Sequence, residues 1–388
     1  MEDLKLVERV CRRFTELYGA SPRLFRSPGR ANLIGEHTDY NDGFVMPFAI
    51  DRETVVAAAS GDDRKIRVAA LDVNESATID LDAEPQKLRH RWIDYVEGTA
   101  RSLAEKHDIG GANIVFASSV PIGAGLSSSA ALEVSIGFAL LSIYKQQIDL
   151  KTLALAAQRA EHEFVGIRSG IMDQFASAFG REGQAMLLDC RSMEIEYIPI
   201  DVGDAVIAVC DTKVKHELAA TEYNTRREEC EKGVEILRTA LPHIKALRDV
   251  SVTEFKTYED LLPEPIRSRC RHVVTENERT LEAAELFKAA KLNGVGRLMF
   301  ESHASLRDDY EVSCPELDTL VDSAQNVDGI YGSRMTGGGF GGCTVNLLRS
   351  SALENFRDIL TRDYRERFGT IPDIYVFNAA DGVSEITL

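Results

Sequence analysis

The chain opens with apolar residues at helical spacing: Leu4, Val7, Cys11, Phe14 and Tyr18. Side chains three and four positions apart share one face of an α-helix, so an amphipathic N-terminal helix is predicted. A loop marked by proline and glycine at 27–29 and a polar cluster over 30–42 follow. Runs rich in β-branched residues then predict strands over 54–59, 65–70 and 112–118.

Further along the chain, a break at 121–125 precedes a mostly apolar helix predicted over 127–147, and a second helical pattern covers 153–164. Beyond Asp189 the pattern restarts with a strand at 205–210 and a charged helix at 216–241. Helices are predicted at 280–290, 315–324 and 352–368, and strands at 343–348 and 374–377. Strands and helices mix without a regular βαβ rhythm, which favours an α+β fold. We expect two domains, residues 1–195 and 196–388.

Composition narrows the class of protein and its partners. The 388 residues are 44% hydrophobic and 28% charged, as in folded globular proteins. A net charge of -17 repels phosphate backbones and anionic lipid, so neither nucleic acid nor a membrane is an expected partner. The seven cysteines show no C-x-x-C spacing, which argues against a disulfide framework or a zinc site. The first ten residues are unlike a signal peptide, and we expect a soluble, cytoplasmic monomer.

A glycine- and serine-rich loop lies between a predicted strand and a predicted helix, with the sequence Pro-Ile-Gly-Ala-Gly-Leu-Ser-Ser-Ser-Ala at 121–130. Glycine lets a backbone approach a ligand closely, and a helix N-terminus attracts phosphate. The loop is not a Walker A motif, because no G-K-[ST] follows. A phosphate site and a serine-capped turn are both open interpretations of these residues alone.

A second glycine-rich segment, Met-Thr-Gly-Gly-Gly-Phe-Gly-Gly at 335–342, contains G-x-G-x-x-G. A dinucleotide fingerprint requires a helix after the glycines, whereas a strand is predicted here from Cys343, so that interpretation is rejected. The segment is either a loop that closes over a phosphate site or over the loop at 121, or a tight turn.

Polar side chains are concentrated at 29–43, in Gly-Arg-Ala-Asn-Leu-Ile-Gly-Glu-His-Thr-Asp-Tyr-Asn-Asp-Gly. Solvated charge would explain most such runs. A sugar, however, needs this mixture of donors and acceptors, because an unpaired buried polar group discriminates strongly between hydroxyl positions. Elsewhere, Asp173 lies among apolar neighbours at 170–175, where it is either a helix cap, a general base or an electrostatic partner for a hydroxyl nucleophile.

These segments together resemble the GHMP small-molecule kinases, and within that family the galactokinases. The segments at 29–43, 121–130 and 336–343 match three family motifs in order, and 170–174, 222–227 and 301–309 match further galactokinase segments. The resemblance implies two domains with the active site between them. It also implies ATP-dependent phosphorylation of galactose at its C1 hydroxyl, the first committed step of galactose catabolism, with ATP and galactose as substrates and Mg²⁺ as cofactor.

Residue roles also follow from the resemblance. Asp173 matches the aspartate that takes or orients the sugar proton, and Arg30 the arginine that keeps this carboxylate charged. Sugar contacts are implied at Glu36, His37, Thr38, Asp39, Gly170 and Tyr223. The phosphate loop matches Gly123, Ala124, Gly125, Leu126, Ser127, Ser128 and Ser129, and Trp92 lies in a segment that borders adenine. Mg²⁺ ligands are implied at Ser129 and Glu161.

The segment Asp211 to His216 departs from the family pattern, which often has an asparagine-rich stretch followed by Arg-His; this weakens inferences about the loop that leads to Tyr223. Two alternatives stay open. One is a kinase for a related sugar, N-acetylgalactosamine or arabinose, because small pocket changes accommodate one substituent. The other is a galactose and ATP sensor with little turnover, since a fold does not fix a function.

Overall fold

A computed structural model describes residues 2–200, 202–214 and 219–387, excluding the side chains of residues 2–4 and 219–220. In these ranges the helices are α1 (Glu2–Tyr18), α2 (Trp92–Ala104), α3 (Ser128–Ile143), α4 (Leu150–Ala160), α5 (Met172–Phe179), α6 (Ala219–Leu237), α7 (Val252–Tyr258), α8 (Ile266–Lys288), α9 (Leu292–Asp308), α10 (Pro315–Gln325) and α11 (Leu353–Phe368). Within the same ranges, no helix is long and apolar enough to cross a membrane.

The strands form three sheets. They are β1 (Arg23–Asn32), β2 (Phe44–Val45), β3 (Pro47–Ser60), β4 (Lys65–Ala70), β5 (Glu75–Asp80), β6 (Ala112–Ser118), β7 (Gln184–Asp189), β8 (Glu194–Pro199), β9 (Ala205–Asp211), β10 (Ile330–Thr336), β11 (Cys343–Arg349), β12 (Asp373–Phe377) and β13 (Ser384–Ile386). The sheet orders are β13-β1-β3-β6-β4-β5, β10-β11-β9-β12 and β2-β7-β8. All neighbours are antiparallel except β4 and β6. The predicted α+β class is confirmed.

Helices cover both faces of the six-stranded sheet, which is why its central strand β3 is apolar at consecutive positions rather than at alternate ones. Val55 and Ala57 pack with α1 through Val10 and Phe14. Their neighbours Val56 and Ala58 point the other way, into a cluster with α2 and α3. Burial on two sides holds the central strands of this sheet in place.

The four-stranded sheet is the scaffold of the second half. One face packs on α10 and α11 through Cys210, Leu320 and Phe356. The other face joins a cluster that also contains Phe48 of β3 and Leu126 of the glycine loop. This shared core places the loops from the two halves against each other. A boundary at residue 195 stays a prediction, and β13 from the end of the chain pairs with β1.

Some predicted elements need correction. The loop expected at 27–29 is wrong, since these residues lie inside β1; a register shift between Pro28 and Arg30 accommodates the proline, which has no N–H to donate. The helix predicted over 127–147 ends at Ile143. The helix predicted over 216–241 ends at Leu237, and its expected start lies outside the described residues.

Candidate active site

A cavity of about 970 Å³ lies between the two halves, and it is lined by residues from the segments at 29–43, 121–130, 170–174, 222–227 and 336–343. The signature segment after β1, the glycine loop before α3, the start of α5 and the second glycine loop all contribute. We name the two ends of the cavity after the ligands that the resemblance implies. The sugar end is defined by Glu36, His37, Asp39 and Tyr223, and the nucleotide end by Val73, Leu88, Trp92, Tyr95 and Ile122.

An arginine–aspartate pair lies where the two ends meet. Arg30 projects from β1 and donates from Nε and Nη2 to the two carboxylate oxygens of Asp173, both at 2.8 Å. This two-point geometry holds both planar groups in one orientation. Arg30 also donates to the Gly125 carbonyl at 2.6 Å, and Ser127 Oγ donates to Asp173. The side chain of Arg30 is 5% exposed and that of Asp173 is 24% exposed, so the carboxylate is the accessible partner.

The first glycine loop turns sharply into α3. Gly123 and Gly125 have φ values of 77° and 75°, in the left-handed region that glycine adopts without strain. Ser127 precedes α3, so the free N–H groups of the first helical turn face the cavity end of the loop. The second glycine loop packs against the first, since a Cβ on Gly337 would lie 3.0 Å from the Gly125 carbonyl. The segment at 335–342 therefore closes over the loop at 121, which was one of the alternatives that its sequence left open.

The two implied metal ligands are neighbours. Ser129 Oγ lies 3.2 Å from Glu161 Oε1, and Glu161 belongs to a π-helical turn, Glu161–Val165, that continues α4. Burial, with the Asp173 carboxylate nearby, raises the pKa of Glu161 to about 7. A buried carboxylate that lacks enough positive charge fits a cation. A Mg²⁺ ion held by these two side chains would take its other ligands from phosphate oxygens and water.

Two carboxylates line the sugar end. Glu36 is 1% exposed; it accepts hydrogen bonds from Asn32 and from the Gly337 N–H, and it lies 3.6 Å from Arg334. Burial raises the pKa of Glu36 to about 7 and that of Asp39 to about 6. Gly170 packs so tightly on Asp39 that a Cβ would lie 1.9 Å from Asp39 Oδ2. The structure therefore gives Gly170 a steric role beside Asp39.

Aromatic rings complete the sugar end. His37 is 5% exposed, and its ring centroid lies 5.4 Å from that of Tyr223, which projects from α6. Tyr40 makes an edge contact with Tyr223 at 5.3 Å. Burial lowers the pKa of His37 well below its ordinary value, so this imidazole is neutral. Ring faces beside carboxylates suit a ligand with both C–H and hydroxyl surfaces.

The nucleotide end is mainly apolar. Trp92 begins α2, donates from Nε1 to Glu75 at 2.6 Å and packs edge-on against Phe116. Leu88 and Ile122 line the same end and are 53% and 58% exposed. A flat apolar surface of this kind suits a heteroaromatic ring.

Two residues from the implied set lie outside the cavity. The Thr38 hydroxyl donates to the carbonyls of Gly35 and Phe44 and is fully buried. Ala124 packs into the core shared by the two halves. Both shape the backbone beside the cavity without lining it. The other implied residues, including Leu126 and Ser128, line it.

Comparisons with known proteins agree with this geometry. The family model described as the galactokinase galactose-binding signature matches residues 12–60, and those for the GHMP kinase N-terminal and C-terminal domains match 94–181 and 283–366. A galactokinase from Roseiflexus sp. (strain RS-1) is 47% identical over 376 residues, 96% of each chain. The chain belongs to the galactokinase family. The resemblance seen in the sequence is thereby confirmed.

Further relatives of this galactokinase-family chain support the same assignment. A galactokinase from Chloroflexus aggregans is 48% identical over 96% of this chain and 95% of its own. The crystal structure of Lactococcus lactis galactokinase complexed with galactose superposes with a TM-score of 0.94 at 35% identity, covering 98% of this chain and all of that one. A mevalonate kinase from Methanococcus jannaschii, at a TM-score of 0.62 and 17% identity, shares the fold.

Sequence reasoning missed several residues that this galactokinase-family cavity depends on. Arg334 is fully buried in β10; it contacts Glu36 and donates to the Asn32 carbonyl. Tyr310 follows α9 and reaches His37 by ring contact at 4.8 Å. Arg334 gave a usable signal, because it is the charged residue of β10 and lies directly before the second glycine loop. Tyr310 gave no such signal in the sequence, since a tyrosine among apolar residues is ordinary.

Proposed function

We propose that this chain transfers the γ-phosphoryl group of ATP to the C1 hydroxyl of D-galactose, releasing galactose 1-phosphate and ADP. The observation that supports this most directly is the Arg30–Asp173 pair, held at 2.8 Å where the sugar end of the cavity meets the glycine loop. Phosphoryl transfer needs an aligned hydroxyl and compensation of phosphate charge rather than covalent catalysis.

Asp173 faces the nucleophile in this proposal. One oxygen of its carboxylate accepts the hydrogen bond from the C1 hydroxyl, and the proton moves to that oxygen as the O–P bond forms. Arg30 and Ser127 fix the direction of the carboxylate by donating to it. The guanidinium also balances negative charge that develops on the transferring phosphoryl group. In a preorganised site, such electrostatic stabilisation is the larger part of catalysis.

The phosphates of ATP would lie along the first glycine loop. The free N–H groups at the start of α3 bind the β-phosphate region, and the helix dipole favours this negative charge. Ser129 and Glu161 would hold Mg²⁺, which when bound neutralises phosphate charge. The adenine would lie against Trp92 at the apolar end.

Specificity for galactose would come from the buried side chains of the sugar end. Glu36, Asp39 and His37 present fixed acceptors and a donor to the ring hydroxyls, while Tyr223 offers its ring face. Since each of these groups is desolvated already, a sugar with a hydroxyl in the wrong place leaves one unpaired. The argument therefore predicts discrimination between epimers, which differ in the orientation of one hydroxyl. It predicts no discrimination between sugars of different ring size.

The test is ADP release with Mg-ATP across galactose, glucose, arabinose, N-acetylgalactosamine and a blank without sugar. We expect turnover with galactose well above that with the others. A preference for another sugar would keep the kinase and overturn the substrate. Binding of ATP and galactose without turnover would instead indicate a sensor. A monomeric state and a cytoplasmic location stay predictions, testable by light scattering and by cell fractionation.

A further inference from the structure

The turn at residues 35–37, which carries Glu36 and His37, has an uncommon backbone conformation. Gly35 has a φ of 99° and His37 a φ of 63°, both in the left-handed region. Glycine adopts this conformation freely, whereas a histidine persists there only when the surrounding structure holds it. A Cβ on Gly35 would also lie 2.6 Å from the Phe44 carbonyl oxygen and 3.0 Å from Thr280 Oγ1 of α8. The turn therefore needs support from outside itself, and α8 is in contact with it.

Two side chains of α8 bind the backbone of this turn. His272 and Glu276 are four residues apart and fully buried. Nε2 of His272 lies 3.1 Å from the Glu36 carbonyl oxygen, and Oε1 of Glu276 accepts a hydrogen bond from the Gly35 N–H at 3.0 Å. A carbonyl oxygen only accepts, so His272 is the donor in its contact. The two contacts hold Gly35 and Glu36 at both ends and set the direction in which the chain enters His37.

Two serines of α9 support these side chains in turn. Ser302 Oγ donates to Glu276 Oε1 at 2.6 Å, and Ser305 Oγ lies 3.0 Å from Nδ1 of His272 and 3.0 Å from Asp309 Oδ2. Residues three apart, like residues four apart, share one face of a helix, so α9 presents one serine to each α8 side chain. The segment 301–309 matched a galactokinase segment without any role attached to it, and its structure makes it the outer layer of this support.

The same network reaches the Glu36 carboxylate. Arg334 donates from Nε to Ser302 Oγ at 3.1 Å, and its Nη1 lies 3.6 Å from Glu36 Oε1. Both the backbone and the side chain of Glu36 are thus held from the second half of the chain. His272, Glu276 and Ser302 do not line the cavity. They can act on a bound sugar only through the turn.

We propose that His272 and Glu276 are positioning residues that fix the backbone of the turn at 35–37 and thereby aim Glu36 and His37 at the sugar. The inference rests on the proposed function for the identity of the ligand, but not for the contacts that hold the turn. It makes the geometry of the sugar end depend on α8 and α9, although neither helix contributes a side chain to that end.

The direct test is a pair of amide variants at residue 272. In His272→Gln the amide nitrogen can take the place of Nε2 and keep the donor to the Glu36 carbonyl. In His272→Asn the shorter side chain places its nitrogen near Nδ1 and leaves that carbonyl unpaired. We expect KM for galactose to rise about five- to tenfold in the asparagine variant and less than about twofold in the glutamine variant. The values of kcat and KM for ATP should stay near wild type, because Asp173 is held by Arg30 and Ser127 instead.

Equal rises in the two amide variants, or a rise in KM for ATP as large as that for galactose, would overturn the proposal. Thr275→Val is the control, since it removes a hydroxyl of α8 that donates to the Arg271 carbonyl of the same helix at 2.8 Å. The variants are compared on whichever sugar the wild type phosphorylates. Turnover with another sugar would therefore overturn the proposed substrate and leave this comparison intact.

Ser302→Ala is the second variant, and it applies even if His272→Asn does not fold, because it removes a single oxygen. We expect KM for galactose to rise about three- to fivefold. If Ser302 acts through the position of Glu36, the rise in the double variant with Glu36→Ala should be smaller than the product of the two single rises. A wild-type KM for galactose in Ser302→Ala, or a full product of the single effects in the double variant, would contradict the proposal.

Discussion

The two ends of the cavity are built in different ways. At the sugar end, Glu36 and His37 are 1% and 5% exposed, and each is held by partners from distant parts of the chain. At the nucleotide end, Val73, Leu88 and Ile122 are 48%, 53% and 58% exposed and contribute apolar surface. Buried, directional hydrogen bonds select hydroxyl positions, whereas exposed apolar contacts tolerate small displacements. We therefore expect substrate selectivity to be concentrated at the sugar end.

Asp173→Ala should give the largest effect, because Asp173 lies where the two ends meet. Removing the proton acceptor should lower kcat by about 10³-fold or more, within the range for loss of a general base plus its orienting contacts. ATP affinity should change little, since the carboxylate faces the sugar. Rapid-quench kinetics measure turnover, and calorimetry measures ATP binding. Near-normal turnover would remove Asp173 from the chemistry.

Gly170→Ala should damage the sugar end alone. The new Cβ would lie 1.9 Å from Asp39 Oδ2, so the carboxylate must move. We expect kcat/KM for galactose to fall about 100-fold, because a misplaced buried partner costs about 2–3 kcal/mol. KM for ATP should be nearly constant. Gly61→Ala is the control, since Gly61 lies outside the cavity and its φ is not in the left-handed region, and its Cβ would come no closer than 3.2 Å to another atom. A wild-type kcat/KM in Gly170→Ala would show that Asp39 is not a sugar contact.

Trp92→Leu should affect the nucleotide end by less. Loss of an aromatic face from the adenine contact should raise KM for ATP about three- to tenfold and leave KM for galactose unchanged. Glu75→Gln is the companion variant, because it weakens the hydrogen bond to Trp92 Nε1, together with the ion pair to Arg91, and leaves the indole in place. If both variants raise KM for ATP equally, the indole acts through its orientation rather than through its surface.

The last effect is on stability rather than on rate or affinity, and it comes through Glu36. Burial raises the pKa of Glu36 from 4.5 to about 7, so between these pH values the folded state binds more protons than the unfolded state. Stability from this group is therefore present below pH 4.5 and is lost as pH rises toward 7. Glu36→Gln lacks this loss. We expect the variant to gain about 1–3 kcal/mol relative to wild type between pH 5 and pH 8.

Thermal unfolding of wild type and Glu36→Gln, measured at pH 5 and at pH 8, checks this expected gain in stability. Contributions from Asp39 and Glu161, whose pKa values are also raised, are common to both proteins and cancel in the difference. A difference in Tm that does not change with pH would mean that Glu36 is ionised without cost, through its contacts with Arg334 and Gly337.

The sequence predicted the local elements better than the long-range contacts. β4 and β6 match their predicted bounds, because both strands contain β-branched residues and are bounded by loops. The predicted loop at 27–29 failed because proline and glycine can sit at a strand irregularity, which depends on the partner β3. The ends of α3 and α6 were misplaced since helix C-termini carry weak signals here.

In the candidate site, too, the residues of local motifs could be predicted and the long-range contacts could not. Arg30, Asp173, Ser129 and Glu161 could be named from motifs, and the structure brings them together. Thr38 and Ala124 belong to the same motifs yet lie outside the cavity, because a motif also includes the residues that shape its backbone. Arg334 and Tyr310 act on the site through other side chains, so only the tertiary structure identifies them.

The position of β13 has a consequence for folding. Residues 384–386 pair with residues 24–26 of β1, the strand that carries Arg30, although the two segments lie far apart in the sequence. Bringing distant segments together costs chain entropy, so we expect this pairing to form late. Until it forms, the outer edge of β1 has free backbone N–H and C=O groups that can pair with other chains, and aggregation during refolding should therefore rise with protein concentration.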